Sequence, residues 1–278
     1  MKIGVIGLGL MGASISKTLV KNGYTVYGLD IDSGVQKYAK LNGIITDSLD
    51  EQTAKDVDLL IVSVFPESFH AACEKVLPWL KKGAIVSDFC GIKRKIEEDM
   101  IAFSKDYPDL SFIGGHPMAG REVYGIENSL DDLFIGASMI LVPVKSTESE
   151  LNWLKELYLS LGFSKVVQTD SENHDAMIAY TSQLCHVVSN AFIKNSTAKR
   201  HFGYSAGSYK DMTRVAKLNP IMWTELMNAN RDKLTVELDE LILNLTKYND
   251  ALKSGDKEML KKLLEEGNNT KLSIDDKE

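Results

Sequence analysis

The first two dozen residues constrain the fold more than any other stretch. KIGVI has the composition of a buried strand, and it runs directly into GLGLMG, Gly7 to Gly12. ASISKTLVKNG follows, whose apolar spacing and closing Gly23 suit a helix. A G-x-G-x-x-G pattern between a strand and a helix is the arrangement that a dinucleotide requires. Gly7 permits the turn, Gly9 removes a side chain from the path of a pyrophosphate, and Gly12 lets the helix pack closely on the strand. Leu8, Leu10 and Met11 supply the backbone between them, and the helix N-terminus offers free N–H groups and the positive end of its dipole to phosphates. A tight strand-to-helix turn without any ligand is the alternative.

An acid in the right place strengthens the cofactor reading. Asp30 closes the next strand, YTVYGLD, 18 residues after Gly12, where a carboxylate accepts hydrogen bonds from both ribose hydroxyls and repels a 2′-phosphate. Neighbouring Ile31 and Asp32 bring no cation to offset that repulsion, so the expected cofactor is NAD rather than NADP. Ser63 and Val64, at the end of LLIVSV, are expected where the nicotinamide ribose passes.

Further strands follow in DLLIVSVFP, AIVSDF, SFIGGHP and SMILVPV, with helical stretches such as Glu67 to Leu80 between them. Alternation of this kind predicts an α/β fold with a Rossmann-type, doubly wound parallel sheet. After about residue 146 the texture changes. Apart from a short KVVQT the pattern is helical, with long segments predicted at Ser171 to Ser196, Pro220 to Asn249 and Asp256 to Glu266. The expected organisation is a nucleotide-binding domain over 1–145 and an all-α domain over 146–278. Leu234, Leu238, Leu241, Leu245, Tyr248 and Leu252 form a stripe at alternating spacings of four and three, which calls for another helix, in the same domain or on a second subunit. The final NNTKLSIDDKE is polar enough to fray.

Composition narrows the partners. With 278 residues, 44% of them hydrophobic, the chain can bury a large core. A formal charge of -7 without a dense basic run argues against nucleic acid. Apolar runs are as short as LLIV, so neither a membrane span nor a signal peptide is expected. The three cysteines, Cys73, Cys90 and Cys185, are scattered without C-x-x-C spacing, which predicts no disulfide framework, no metal site and a reducing cytoplasm.

The remaining motifs are polar and specific. In GGHPMAGRE, Gly114 to Glu122, the glycines and Pro117 predict that His116 is displayed at a strand end, with backbone passing close to a ligand. HDAMIAYTSQLCH places Ser182 and His186 four residues apart on one helical face, while His174 falls about 120° away and is expected to serve something else. In SYKDMTRVAKLNPIMW, Asn219 and Pro220 form a helix start, Arg214 precedes it and Trp223 lies one turn inside. A core histidine, a surface ion pair and a core aromatic are the plain readings of His186, Arg214 and Trp223.

Together GLGLMG, GGHPMAGRE with Gly125 after it, HDAMIAYTSQLCH and DMTRVAKLNPIMW resemble the prephenate dehydrogenase family of tyrosine biosynthesis, in the family's order and over nearly the whole chain. The resemblance implies NAD-dependent oxidative decarboxylation of prephenate to 4-hydroxyphenylpyruvate, or of arogenate to tyrosine, in a cytoplasmic homodimer. It places the catalytic histidine at His116, the substrate-carboxylate arginine at Arg214, a second pocket histidine at His186 and a pocket tryptophan at Trp223. Glu122 takes a pocket-edge or gating position. The family often carries a serine, in D-x-x-S-x-K, that hydrogen-bonds the catalytic histidine; DFCGIK has Gly91 there, so water, a backbone group or Cys90 is expected to orient His116 instead. A β-hydroxyacid-type dehydrogenase and a non-catalytic NAD sensor are the alternatives. No fused regulatory or mutase domain is expected within this length.

Overall fold

A computed structural model describes residues 1–276. Met1–Asn230 forms one compact unit and the chain from Arg231 onward another.

The first unit is built on an eight-stranded sheet. The strands are β1 (Lys2–Ile6), β2 (Thr25–Leu29), β3 (Asp47–Ser48), β4 (Leu59–Val62), β5 (Ile85–Asp88), β6 (Ser111–Pro117), β7 (Ser138–Lys145) and β8 (Lys165–Gln168), in the order β3-β2-β1-β4-β5-β6-β7-β8. β3 through β6 run parallel, which sends the carboxyl ends of β1, β4, β5 and β6 to one edge of the sheet. The order reverses between β1 and β4, and ligands bind in the crevice at such a switch point.

Two features depart from a purely parallel sheet ending at residue 145. β7 pairs antiparallel with β6, because residues 118–137 contain only a short 3-10 turn and no crossover helix to carry the chain back. KVVQ, which stands out from the helical texture around it, adds β8 alongside β7 in parallel after the helix Glu148–Ser160.

The helices α1 (Leu10–Lys21), α2 (Ser33–Leu41), α3 (Glu51–Ala54), α4 (Pro66–Val76), α5 (Arg94–Asp106) and α6 (Glu148–Ser160) connect and cover these strands. LLIV of β4 shows why both faces are covered, since all four side chains are buried. Leu59 and Ile61 join a core with Ile15, Phe134 and Tyr158, whereas Leu60 and Val62 join another with Phe69, Ile96 and Met100. Each such side chain contributes about 1.5–3 kcal/mol relative to exposure.

Beyond β8 the chain is helical: α7 (Ser171–Ile178), a π-helical stretch Ala179–Leu184, α8 (Cys185–Phe192), α9 (Gly207–Thr213) and α10 (Pro220–Ala229). The single helix predicted from Pro220 to Asn249 is two, because Asn230 interrupts it. That residue is fully buried, and its side-chain amide donates to the carbonyl of Asp175 at 2.8 Å and to Gln183 Oε1 at 2.9 Å.

The second unit consists of α11 (Arg231–Ser254) and α12 (Lys257–Asp275), which contact each other, with the Tyr248 hydroxyl donating to the carbonyl of Leu263 at 3.0 Å. Of the leucine stripe, Leu234 is buried, while Leu245 and Leu252 are exposed. Among the described residues no helix is long and apolar enough to cross a membrane.

Candidate active site

The glycine turn is shaped around an open space. Gly7 has φ +83°, a conformation that side chains resist, and a Cβ there would collide with the carbonyl of Ser63. A Cβ at Gly12 would collide with the carbonyl of Gly7, so the close packing of helix on strand needs that glycine. Gly9 differs: a Cβ there would meet nothing within 4 Å. The exposed Gly9 is also the N-cap of α1 and has no side chain to satisfy the first-turn N–H groups, which fits them to receive a phosphate.

Leu10 and Met11 begin α1, and Leu8 is buried beneath the turn. The Asp30 carboxylate accepts from the backbone N–H of Leu8 at 2.7 Å and of Asp32 at 2.9 Å, which ties the end of β2 to the turn and fixes the acid beside it. Ser63 and Val64 follow β4, partly exposed, with the Ser63 side chain close to Gly12. The nucleotide-site residues read from the sequence therefore gather at one edge of the sheet.

His116 is the penultimate residue of β6, so the parallel register carries it to that same edge. Gly115 before it has a packing reason as well: a Cβ there would lie 2.6 Å from the carbonyl of Asp88 and 2.7 Å from Met139. The expectation that this motif is glycine-rich for close approach to a ligand is thus joined by a demand from within the sheet.

Asp88 is buried at the end of β5 and organises the loop after it. It accepts from the N–H of Gly115 at 3.0 Å and of Cys90 at 2.7 Å, and it forms a buried ion pair with Lys93. This folds DFCGIK so that Gly91 faces the imidazole, a Cβ there lying 3.9 Å from His116 Cε1.

Among the described residues, neither Cys90 nor a backbone group holds the His116 side chain. The Cys90 thiol donates to the carbonyl of Val64 at 3.3 Å. The Nδ1 of His116 instead lies 2.9 Å from Nε2 of His174, whose own Nδ1 lies 2.7 Å from Asp175 Oδ1. His174 and Asp175 are each 1% exposed. Burial, then the neighbouring His174 and then Lys93, pushes the His116 pKa well below its ordinary value. Burial lowers His174 too, against the pull of Asp175. Burial opposes the charge of Asp175, yet hydrogen bonds from His174 and from the backbone of Arg94 and Lys93 hold its carboxyl below the usual range. The site thus keeps its imidazoles neutral beside a carboxylate.

A second group of residues lies nearer solvent. His186 lies tilted against Trp223, with ring centroids 3.8 Å apart and an interplanar angle of 31°, and its Nδ1 donates to the carbonyl of Ser182 at 2.9 Å. Burial depresses the His186 pKa, with Glu122 and Arg214 close enough to act on it in opposite directions. Arg214 forms an ion pair with Glu122, their side chains 67% and 36% exposed. His186, Arg214, Trp223 and Glu122 therefore assemble, although they come from α8, the turn after α9, α10 and the loop after β6. The two groups meet through α10, where Leu226, one turn beyond Trp223, would lie 3.3 Å from a Cβ on Gly91.

His174, Asp175, Asp88 and Lys93 are the site residues that sequence reasoning did not select. The adjacent His-Asp pair at the head of its helix and the charged ends of DFCGIK were the available signals.

A prephenate dehydrogenase nucleotide-binding domain matches residues 15–167, and a prephenate dehydrogenase dimerization domain matches residues 170–266. A cyclohexadienyl dehydrogenase of Zymomonas mobilis is 27% identical over 98% of this chain and 95% of its own. The crystal structure of prephenate dehydrogenase from A. aeolicus in complex with hydroxyphenyl propionate and NAD+ superimposes with a TM-score of 0.84 at 29% identity, covering 99% of this chain and 98% of that one. Synechocystis arogenate dehydrogenase gives 0.81 at 26% identity, covering 99% and 100%. With two domain models of one family matched over residues 15–167 and 170–266, this chain belongs to the prephenate dehydrogenase family.

Proposed function

We propose that this chain catalyses the NAD-dependent oxidative decarboxylation of prephenate to 4-hydroxyphenylpyruvate. The first half (1–145) holds the cofactor, and the helical half (146–278) supplies substrate contacts and the interface of a cytoplasmic homodimer. The observation that carries this reading is His116: a neutral imidazole at the carboxyl end of β6, on the edge that also bears the glycine turn.

NAD, when bound, supplies the acceptor for the hydride that leaves the ring carbon. His116 Nε2, which has no partner among the described residues, takes the proton of the hydroxyl on that carbon. The ring carboxylate departs as carbon dioxide, its bonding electrons complete the aromatic ring, and His116 returns the proton to the phenolate oxygen. Arg214 presents a planar guanidinium to a substrate carboxylate and fixes the direction of the ring. It exchanges Glu122 for that carboxylate, and Trp223 with His186 walls the pocket. The acid at Asp30 favours NAD over NADP.

The exposed Leu245 and Leu252 of α11 and the dimerization-domain match support the homodimer. A second substrate, arogenate, is favoured by the full-length likeness to the Synechocystis enzyme.

The test is reduction of NAD and of NADP with each substrate in turn. Prephenate with NAD is expected to give the highest kcat/KM. Preference for arogenate would select the second substrate, and no reduction with either would overturn the reading.

A further inference from the structure

Gly91 offers the His116 imidazole no side-chain hydroxyl, and a buried pair on α7 is its partner instead. Asp175 is fixed from several directions. Its Oδ1 accepts from the backbone N–H of Lys93 at 2.7 Å, and its Oδ2 accepts from the N–H of Arg94 at 3.0 Å and from Arg94 Nε at 3.3 Å. Arg94 Nη2 donates to Asn230 Oδ1 at 3.0 Å, while Asn230 donates to the carbonyl of Asp175. A carboxylate so surrounded by donors is ionised and accepts only.

Hydrogen-bond direction then propagates. An acceptor at Asp175 requires the proton of His174 to sit on Nδ1, so Nε2 of a neutral His174 is an acceptor. His116 must therefore donate from Nδ1, which leaves its Nε2 as a lone pair. Were the direction reversed, the proton of His116 would sit on Nε2 and the ring could not act as a base. Neither ring has much freedom to turn, since the centroids are 5.1 Å apart and His174 is enclosed.

We propose that His174 is a positioning residue that locks His116 in the Nδ1–H tautomer, with Asp175 setting the tautomer of His174 in turn, replacing the hydroxyl that Gly91 lacks. The proposal deepens the dehydrogenase reading above and rests on it for the catalytic consequence, though the tautomer itself exists without substrate.

Two measurements test it. In the first, the full chain is labelled with 15N-histidine and the imidazole nitrogens are read by NMR without ligands; the chain has five histidines, and the His116→Asn spectrum assigns the signal. Proton on Nδ1 and a bare Nε2 at His116 are expected. A proton on Nε2 overturns the proposal.

In the second, His174→Phe keeps an aromatic ring but removes the acceptor. A kcat lowered about 10²-fold is expected, with KM within about threefold. Adding Gly91→Ser to that variant places a hydroxyl beside His116, because a Cβ there lies 3.9 Å from Cε1, with Leu226 giving way slightly. It should recover about tenfold of the lost kcat, which a purely structural role for His174 would not produce.

Full kcat in His174→Phe, or a loss that Gly91→Ser leaves untouched, overturns the proposal. Where His174→Phe does not fold, the tautomer of the unaltered chain decides. An unaltered chain inactive on both substrates with His116 in the Nδ1–H form would sink the dehydrogenase reading alone, whereas an active chain with the other tautomer would sink only this inference.

Discussion

The two histidine groups of this molecule are built in opposite ways. His116, His174 and Asp175 form a chain of hydrogen bonds in which the last two members are closed off from solvent, and Asp175 is held by backbone N–H groups at the start of α5 and, at its carbonyl, by Asn230. His186, Trp223, Arg214 and Glu122 meet near the surface, where an exposed ion pair is worth little and exchanges readily. In the proposed reaction the contrast separates two tasks. Proton transfer needs a fixed donor direction and a neutral base, which burial provides, while capture of an anionic substrate needs a cation that can change partners.

The largest effect that would break this division is at His116. His116→Asn is expected to lower kcat about 10³-fold with little change in KM, measured by steady-state NADH formation. Arg214→Ala comes next: KM should rise about 30- to 100-fold, the loss of a charge-assisted double hydrogen bond, with a smaller fall in kcat. The reverse pattern in these two variants would exchange their assignments.

A pH series sharpens the same contrast. Because the pKa of His116 is depressed by burial and then by His174, kcat should be level above about pH 6.5, the ordinary histidine value, and fall only at lower pH. Stability follows the same sign. His116 and His174 both resist protonation in the folded chain, so the unfolded chain takes up protons first. Thermal stability is therefore expected to be lost as pH falls from about 6.5 toward the folded values, and these groups contribute nothing above it. The smallest effect belongs to the exposed pair: Glu122→Gln removes the competitor for Arg214 and should lower KM by no more than about threefold, in a way that added salt diminishes.

Much of this was legible in the sequence because it depends on local chemistry. GLGLMG declared its turn through residues that sterics demand at Gly7 and Gly12, and LLIV declared a strand covered on both faces. Asn219 was readable as a helix cap, and its side chain accepts from the N–H of Ile221 at 2.9 Å. What escaped depends on contacts between distant segments. β8 pairs with a strand more than twenty residues earlier, and its exposed, short sequence has no buried pattern to announce it. The break at Asn230 answers to Asp175 and Gln183 rather than to any breaker in its own neighbourhood. His174 was set apart from His186 by an angle reckoned for an unbroken α-helix, which the π-helical Ala179–Leu184 interrupts, and its partner, 58 residues away on β6, is invisible to periodicity. Gly91 was recognised as a missing hydroxyl, whereas the group that makes good its loss is a fold-level fact.

The most direct test is a crystal structure of the chain with NAD and a substrate analogue bearing the ring hydroxyl. His116 Nε2 should lie about 2.6–3.2 Å from that oxygen, with the analogue's carboxylate on Arg214 and Glu122 released. An imidazole turned away from the analogue, or an analogue bound with its carboxylate far from Arg214, would contradict the division between the two groups.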